Sequence, residues 1–192
     1  MVLLIDTSSA CAGIAVLGTD RQPVTERVVT AGPGLNVAAL VRELVEPAQV
    51  TRIGVATGPG SFTGLRVGVA FALGLAMSRR IPIHGLPTLE VAAARANEPA
   101  TAVAEAGRGR LYFQAAGAAP QLGVPAELPQ QLPVVGWLRD ATEAAVRIAG
   151  RRLLAQDELR SFAEAGSRVI EGAPELPYGR VKIEYMQSLA VE

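Results

Sequence analysis

Residues 2–29 read VLLIDTSSACAGIAVLGTDRQPVTERVV. Apolar runs at 2–6, 13–17 and 24–29 are separated by the polar turns TSSA and GTDRQP. Short runs rich in β-branched residues, punctuated by turn formers, predict three strands joined as an antiparallel meander. The first run, VLLID, is apolar without alternation, as expected of a central strand covered on both faces.

Beyond the meander, AGPGLN at 31–36 breaks the chain, and Val37, Leu40, Val41, Leu44 and Val45 then recur at helical spacing until Pro47. This predicts an amphipathic helix with Arg42, Glu43 and Glu46 on its wet side. RIGVATG at 52–58 reads as a buried strand, reached by a right-handed crossover if it runs parallel to VLLID. GPGSFTGLRVG at 58–68 leads into a helix expected over 63–78. Pro82 limits IPIHG to a short or edge strand. Thr88 is placed to cap the helix LEVAAARANE, which Pro99 ends. The order β-β-β-α-β-α is one complete α/β layer.

The second half predicts a hairpin within 101–117, turning at Gly107 to Gly109. PQLGVPAELPQQLP, with four prolines in 14 residues, reads as a loop. TEAAVRIAGRRLLAQ at 142–156 fits strand or helix equally, and DELRSFAEAG at 157–166 reads as a short helix ending at Gly166. No fixed-period repeat is visible. The expected organisation is an N-terminal lobe over 1–98 and a smaller C-terminal lobe over 99–192, whose tail packs back on the first.

A chain of 192 residues, 49% of them hydrophobic, can bury one sizeable core, divisible into two small lobes. Its formal net charge of +0 offers no global basic field to hold nucleic acid, so any RNA it serves must be held by something else. The start MVLLIDTSS lacks the pattern of a secretory signal, and the longest apolar stretch, VGVAFALGLAM at 67–77, is about half of what crosses a bilayer. No membrane partner is expected. A single cysteine, Cys11, fits a reducing cytoplasm. His84 is the only histidine, so neither a clustered imidazole and thiolate metal site nor a plausible serine-histidine-acid triad can be built from this chain alone.

The stretch at 58–68 invites a phosphate-binding reading. A P-loop needs lysine directly after its last glycine, whereas Gly64 is followed by Leu65 and Arg66, and Gly58 to Gly64 is one residue too long. Gly60, Ser61 and Thr63 still fall at an expected helix N-terminus, where free N–H groups attract anions, and Arg66 is placed to join them. Against this, Gly64, Gly68, Ala72 and Ala76 lie four apart, a smooth face on which a second helix could pack closely. Asp6 has two readings as well. With Thr7 and Ser8 it can hold a metal-bound phosphate, or it can organise its turn by accepting nearby N–H groups.

Ile5-Asp6-Thr7-Ser8 at the meander and the contiguous block from Gly58 to Gly68 together closely resemble the bacterial TsaB family. Further agreement runs through Gly85-Leu86-Pro87-Thr88-Leu89, Gly109, Leu111 and Tyr112, with an echo at Tyr185-Met186-Gln187. The resemblance implies an α/β fold of the actin-like (ASKHA, ribonuclease H-like) type, two lobes each with a mixed sheet flanked by helices, the second reduced. It implies a partner of TsaD, the subunit that transfers a threonylcarbamoyl group to the adenosine beside the anticodon, in a set completed by the ATPase TsaE. TsaD holds its metal through histidines on its first long helix; LNVAALVRELV at 35–45 has none. The family's Asp-Ala-Arg before the hairpin turn is replaced here by Glu105-Ala106-Gly107, and Asn36 lies near where relatives carry a histidine.

The resulting expectation is a cytoplasmic, non-catalytic dimerising subunit, with no catalytic or metal residue of its own, meeting tRNA only through the complex. The expected partner face, toward a TsaD-like subunit or a second copy, is Val37, Leu40, Val41, Leu44, Gly64, Gly68 and Ala72. The candidate nucleotide or anion contacts are Asp6, Thr7, Ser8, Gly60, Ser61, Thr63 and Arg66, with ATP or ADP at the joint with TsaD. The competing readings are a small phosphotransferase using Asp6 and the 58–64 loop, and a peptidase-like protein.

Overall fold

The computed structural model describes residues 1–184. Tyr185-Met186-Gln187 lies outside the described residues. β1 (Val2–Asp6), β2 (Cys11–Leu17) and β3 (Pro23–Thr30) form the expected meander. β4 (Arg52–Gly58) runs parallel to β1, and β5 (Ile83–Pro87) parallel to β4, giving the sheet order β3-β2-β1-β4-β5. The unbroken apolar run of β1 is explained by two covered faces. Leu3 and Ile5 point to the side of α1 (Val37–Leu44) and α2 (Phe62–Arg79), where they pack with Val41, Val69 and Ala72. Val2 and Leu4 point to the other side, onto Phe162, Ala165 and Ile170. Alternation along a strand sends each neighbour to the opposite layer.

The second sheet is smaller, with order β8-β7-β6-β9. β6 (Thr101–Gly107) and β7 (Arg110–Ala115) form the predicted hairpin, β8 (Gln121–Gly123) extends it, and β9 (Val134–Val135) pairs parallel to β6. Arg108 and Gly109 at the turn have φ of 52 and 73, the left-handed pair that a two-residue hairpin loop requires. Both sheets are mixed and helix-flanked, and α3 (Thr88–Arg95) is shared: Val91 faces the first sheet and Leu89 the second.

Several expectations change. The proline-rich loop contains β8, because the residues between its prolines still leave room for three paired positions. The ambiguous stretch divides into α4 (Asp140–Ile148) and an extended run that touches β9 through Leu153 and Val134. The last helix, α5 (Phe162–Gly172), starts at the Ser161 cap and passes through Gly166. That glycine is a contact and not a stop, since a Cβ there would lie 2.5 Å from Leu4 Cδ1. α3 ends at Arg95, before Pro99, because Arg160 reaches back to the carbonyls of Ala94 and Ala96 and satisfies its last turn. Thr88 opens that helix instead of capping it, and its hydroxyl donates to Ser8 Oγ at 3.2 Å.

Candidate functional site

Parallel strands β1 and β4 end side by side, and the loops after them meet. Ser61 N–H donates to the Ser8 carbonyl at 2.7 Å, and Thr7 Oγ1 donates to the Gly64 carbonyl at 2.7 Å. Ser61 caps α2 by accepting from Gly64 N–H at 3.2 Å. The glycines make this approach feasible. A Cβ on Gly60 would strike the Ser8 carbonyl oxygen, on Gly64 the Thr7 carbonyl oxygen, and on Gly68 Thr7 Oγ1. The four-residue rhythm therefore records close packing, but the packed surface is the chain's own 6–8 turn.

The residues of the expected partner face pack largely within the chain. Gly68 and Ala72 are buried beneath α2, Gly64 sits on the 6–8 turn, and Val37 and Val41 are buried in the first core. Leu40 and Leu44 are half-buried against that same core. The side of α2 left open carries Thr63, Val67, Ala70, Gly74 and Met77. Their spacing of four, three, four and three keeps them in one stripe. Val67 is 40% and Met77 57% exposed, and between Phe62 and Ser78 only Arg66 is charged. The sequence signal for this stripe is weak because α2 is apolar nearly all round, and such a helix does not announce its wet side.

Asp6 is 3% exposed, and its Oδ1 accepts from Ser8 N–H at 2.8 Å and Ser8 Oγ–H at 2.6 Å. Burial pushes its carboxyl above the usual range, opposed by the two Ser8 bonds and by the positive charge of Arg95. The turn-organising reading describes this geometry: Asp6 borders only a small void shared with Arg95 and Trp137.

A cleft of about 230 Å³ lies between the 8–9 and 60–62 backbone and the β6–β7 hairpin. Ser8, Gly60 and Ser61 line it, together with Glu105, Tyr112 and Arg139, none of which is among the contacts expected from sequence. Glu105 is occupied structurally. Its Oε1 accepts from Arg139 N–H at 3.1 Å and from the Thr142 hydroxyl, and its Oε2 pairs with Arg139 Nε at 3.1 Å, so it caps α4. The Arg66 guanidinium stacks 3.7 Å from the Phe62 ring centroid, at the rim. A second groove of about 460 Å³ runs on the other side of Ser9, Ser61 and Arg139, bordered by the 31–35 loop, Thr7, Thr63 and Val67. The candidate contacts therefore divide: Ser8, Gly60 and Ser61 share the smaller cleft, Thr7 and Thr63 face the groove, and Asp6 faces neither. Among the described residues, no group of three or more His, Cys, Asp or Glu side chains is placed to hold a metal, and no helix is long and apolar enough to cross a membrane.

Comparison with known proteins fits this architecture. YeaZ from Pseudomonas aeruginosa superposes with a TM-score of 0.71 at 18% identity, covering 96% of this chain and 99% of that one. The chain thus shares the α/β fold of that protein, with two mixed sheets flanked by helices. A family profile described as "TsaD: tRNA N6-adenosine threonylcarbamoyltransferase" matches residues 37–124. The tRNA threonylcarbamoyladenosine biosynthesis protein TsaB of Bacillus subtilis is 36% identical over 121 residues, 58% of this chain and 52% of that protein. Escherichia coli TsaB is 25% identical over 93 residues, 46% of this chain and 40% of that protein. The chain spans about half the length of these curated relatives. Together the matches bear out the resemblance to the TsaB family read from residues 5–8 and 58–68.

Proposed function

We propose that this chain is a non-catalytic pairing subunit in the synthesis of threonylcarbamoyladenosine in tRNA. It binds a TsaD-like transferase subunit through the open stripe of α2, and a TsaE-like ATPase completes the set. The observation that carries this reading is the stripe itself: Thr63, Val67, Ala70, Gly74 and Met77 exposed in one row along an 18-residue helix, with Arg66 as the single charge beside it. Contiguous exposed apolar surface rimmed by polar residues is a mark of an interaction face. The relatives named for threonylcarbamoyladenosine biosynthesis support the pathway.

The groove beside Thr63 and Val67 continues the stripe toward the Ser61 cap. ATP or ADP seated at the joint would meet Thr63 and the first N–H groups of α2 there, with the partner supplying the remaining contacts. The test is co-purification with the TsaD-like protein of the same organism. Wild-type chain should co-elute, and Val67→Asp should not, while keeping its circular dichroism spectrum. Co-elution of Val67→Asp at wild-type yield would overturn the α2 interface. Adenosine modification in a reconstituted mixture that proceeds equally without this chain would overturn the pathway role.

A further inference from the structure

We propose that residues 173–184 form a releasable latch that holds the 58–61 loop, and through it the N-terminus of α2, in its observed position. The segment is fastened at three points. At the outer edge of β5, Leu176 N–H donates to the Ile83 carbonyl at 2.9 Å, and the Ala173 carbonyl accepts from His84 Nδ1 at 2.9 Å. At the C-terminal end of α2, Tyr178 Oη donates to the carbonyls of Ala76 at 3.3 Å and Ile81 at 3.0 Å. At the end of β4, Glu184 N–H donates to the Thr57 carbonyl at 2.8 Å.

Between the last two points the latch runs back along α2 in the reverse direction. A 3-10 turn at Tyr178–Arg180 opens this return. Val181 and Ile183 lie half-buried against the first core on the way.

The fastening is light. No residue of 174–184 is fully buried, and Leu176, Tyr178, Val181 and Ile183 supply its half-buried apolar anchors. Segments with few buried contacts open well below the free energy of global unfolding. The far end is nevertheless seated on a sensitive place. A Cβ on Gly58 would lie 2.8 Å from the Glu184 carbonyl oxygen, so the latch end packs directly on the residue that starts the loop. Gly58 itself has φ +119, and three residues later Ser61 makes the bond to Ser8 that seats α2. Opening the latch removes the Thr57 contact and the cover over Gly58 together, and so loosens residues 59–61. Loop opening and latch opening are then linked, so whatever binds the loop tightens the latch by the same factor. This coupling stands independently of the pathway assignment.

The chain carries its own reporter, because Lys182 is its only lysine and lies within the latch. A lysine-specific protease can cut the native full chain there only, and cleavage under fast reclosing measures the open population. Cleavage should proceed in the absence of denaturant and rise only weakly with urea. Tyr178→Phe, which removes one anchor without removing the ring, and Ile183→Ser should each speed it by about tenfold, in keeping with the loss of one hydrogen bond or one half-buried anchor. In the same variants, hydrogen exchange at the Ser61 amide should accelerate by a similar factor while the β2–β3 amides keep wild-type protection. Cleavage that tracks the urea dependence of global unfolding would overturn the latch. Faster cleavage with Ser61 exchange unchanged would overturn the coupling and leave a passive tail.

Discussion

Asp6 shows what a single buried carboxylate does to this fold. It lies in the core with one oxygen held by both donors of Ser8. Because desolvation raises its folded pKa above the ordinary value of 3.8, the folded state holds its proton more tightly than the unfolded chain. This contribution to stability is therefore fully present below pH 3.8 and is lost as pH rises through the raised value. Asp6→Asn keeps an acceptor for Ser8 and removes the charge. Its stability relative to wild type should rise with pH above about 4. Asp6→Ala strips both bonds and should cost about 1–3 kcal/mol at pH 4, and less at pH 7, where the wild-type carboxylate is itself destabilised by burial. Urea titrations at pH 4 and pH 7 decide it, and a pH-independent difference between Asn and wild type would refute the buried-charge account. That Asp6 organises its turn is one of two readings open in the sequence, since the pattern Asp-Thr-Ser serves a turn and a phosphate equally well. Burial on both faces of β1 supports the turn reading, and that burial depends on α3 and α5 arriving from far along the chain.

At the scale of elements, the meander, the buried β4 and the first two helices were legible because each has a clear period or a run bounded by turn residues. α2 was legible as a helix and illegible as a surface. Small residues four apart state that something comes close; they do not state whether it belongs to the same chain. Here it is the 6–8 turn, so the two sides of α2 should respond differently to substitution. Gly68→Leu drives a side chain into Thr7 and should destabilise the fold by about 1–3 kcal/mol or more, lowering Tm whether or not a partner is present. Gly74 has open space at its Cβ and lies on the exposed stripe, so Gly74→Glu should leave Tm nearly unchanged and abolish pairing. Calorimetry beside co-purification separates the two. Equal loss of pairing and equal Tm for both variants would mean that the glycine rhythm faces a partner after all. The last third was least legible for a related reason. α5 is interrupted in sequence by Gly166, which reads as a terminator until Leu4 is seen filling the space above it.

For the molecule as a whole, the question is whether the two sheets unfold as one. Two features tie them. α3 lends Val91 to the core of one and Leu89 to the core of the other. Trp137, the sole tryptophan, comes after β9 in the chain yet inserts into the first layer, with its ring centroid 5.7 Å from that of Phe162 and the Arg95 guanidinium 4.7 Å away. β2 makes room for it with a glycine, since a Cβ on Gly13 would lie 2.8 Å from the Trp137 ring and 2.9 Å from Phe162. A wedge shared by both halves makes partial unfolding expensive, because freeing either sheet exposes the indole and leaves the buried Arg95 without its ring. Tryptophan emission and far-ultraviolet circular dichroism should therefore report one coincident urea transition, as expected of a two-state domain. Trp137→Ala should cost about 3–5 kcal/mol by the cavity it leaves. It should also split the dichroism transition in two, because the halves then keep α3 and the Ala10–Trp137 backbone bond but no buried wedge. A single sharp transition in Trp137→Ala, shifted but unsplit, would show that α3 and that backbone bond couple the sheets without the wedge. Non-coincident probes in the wild-type chain would show that they were never coupled through the tryptophan.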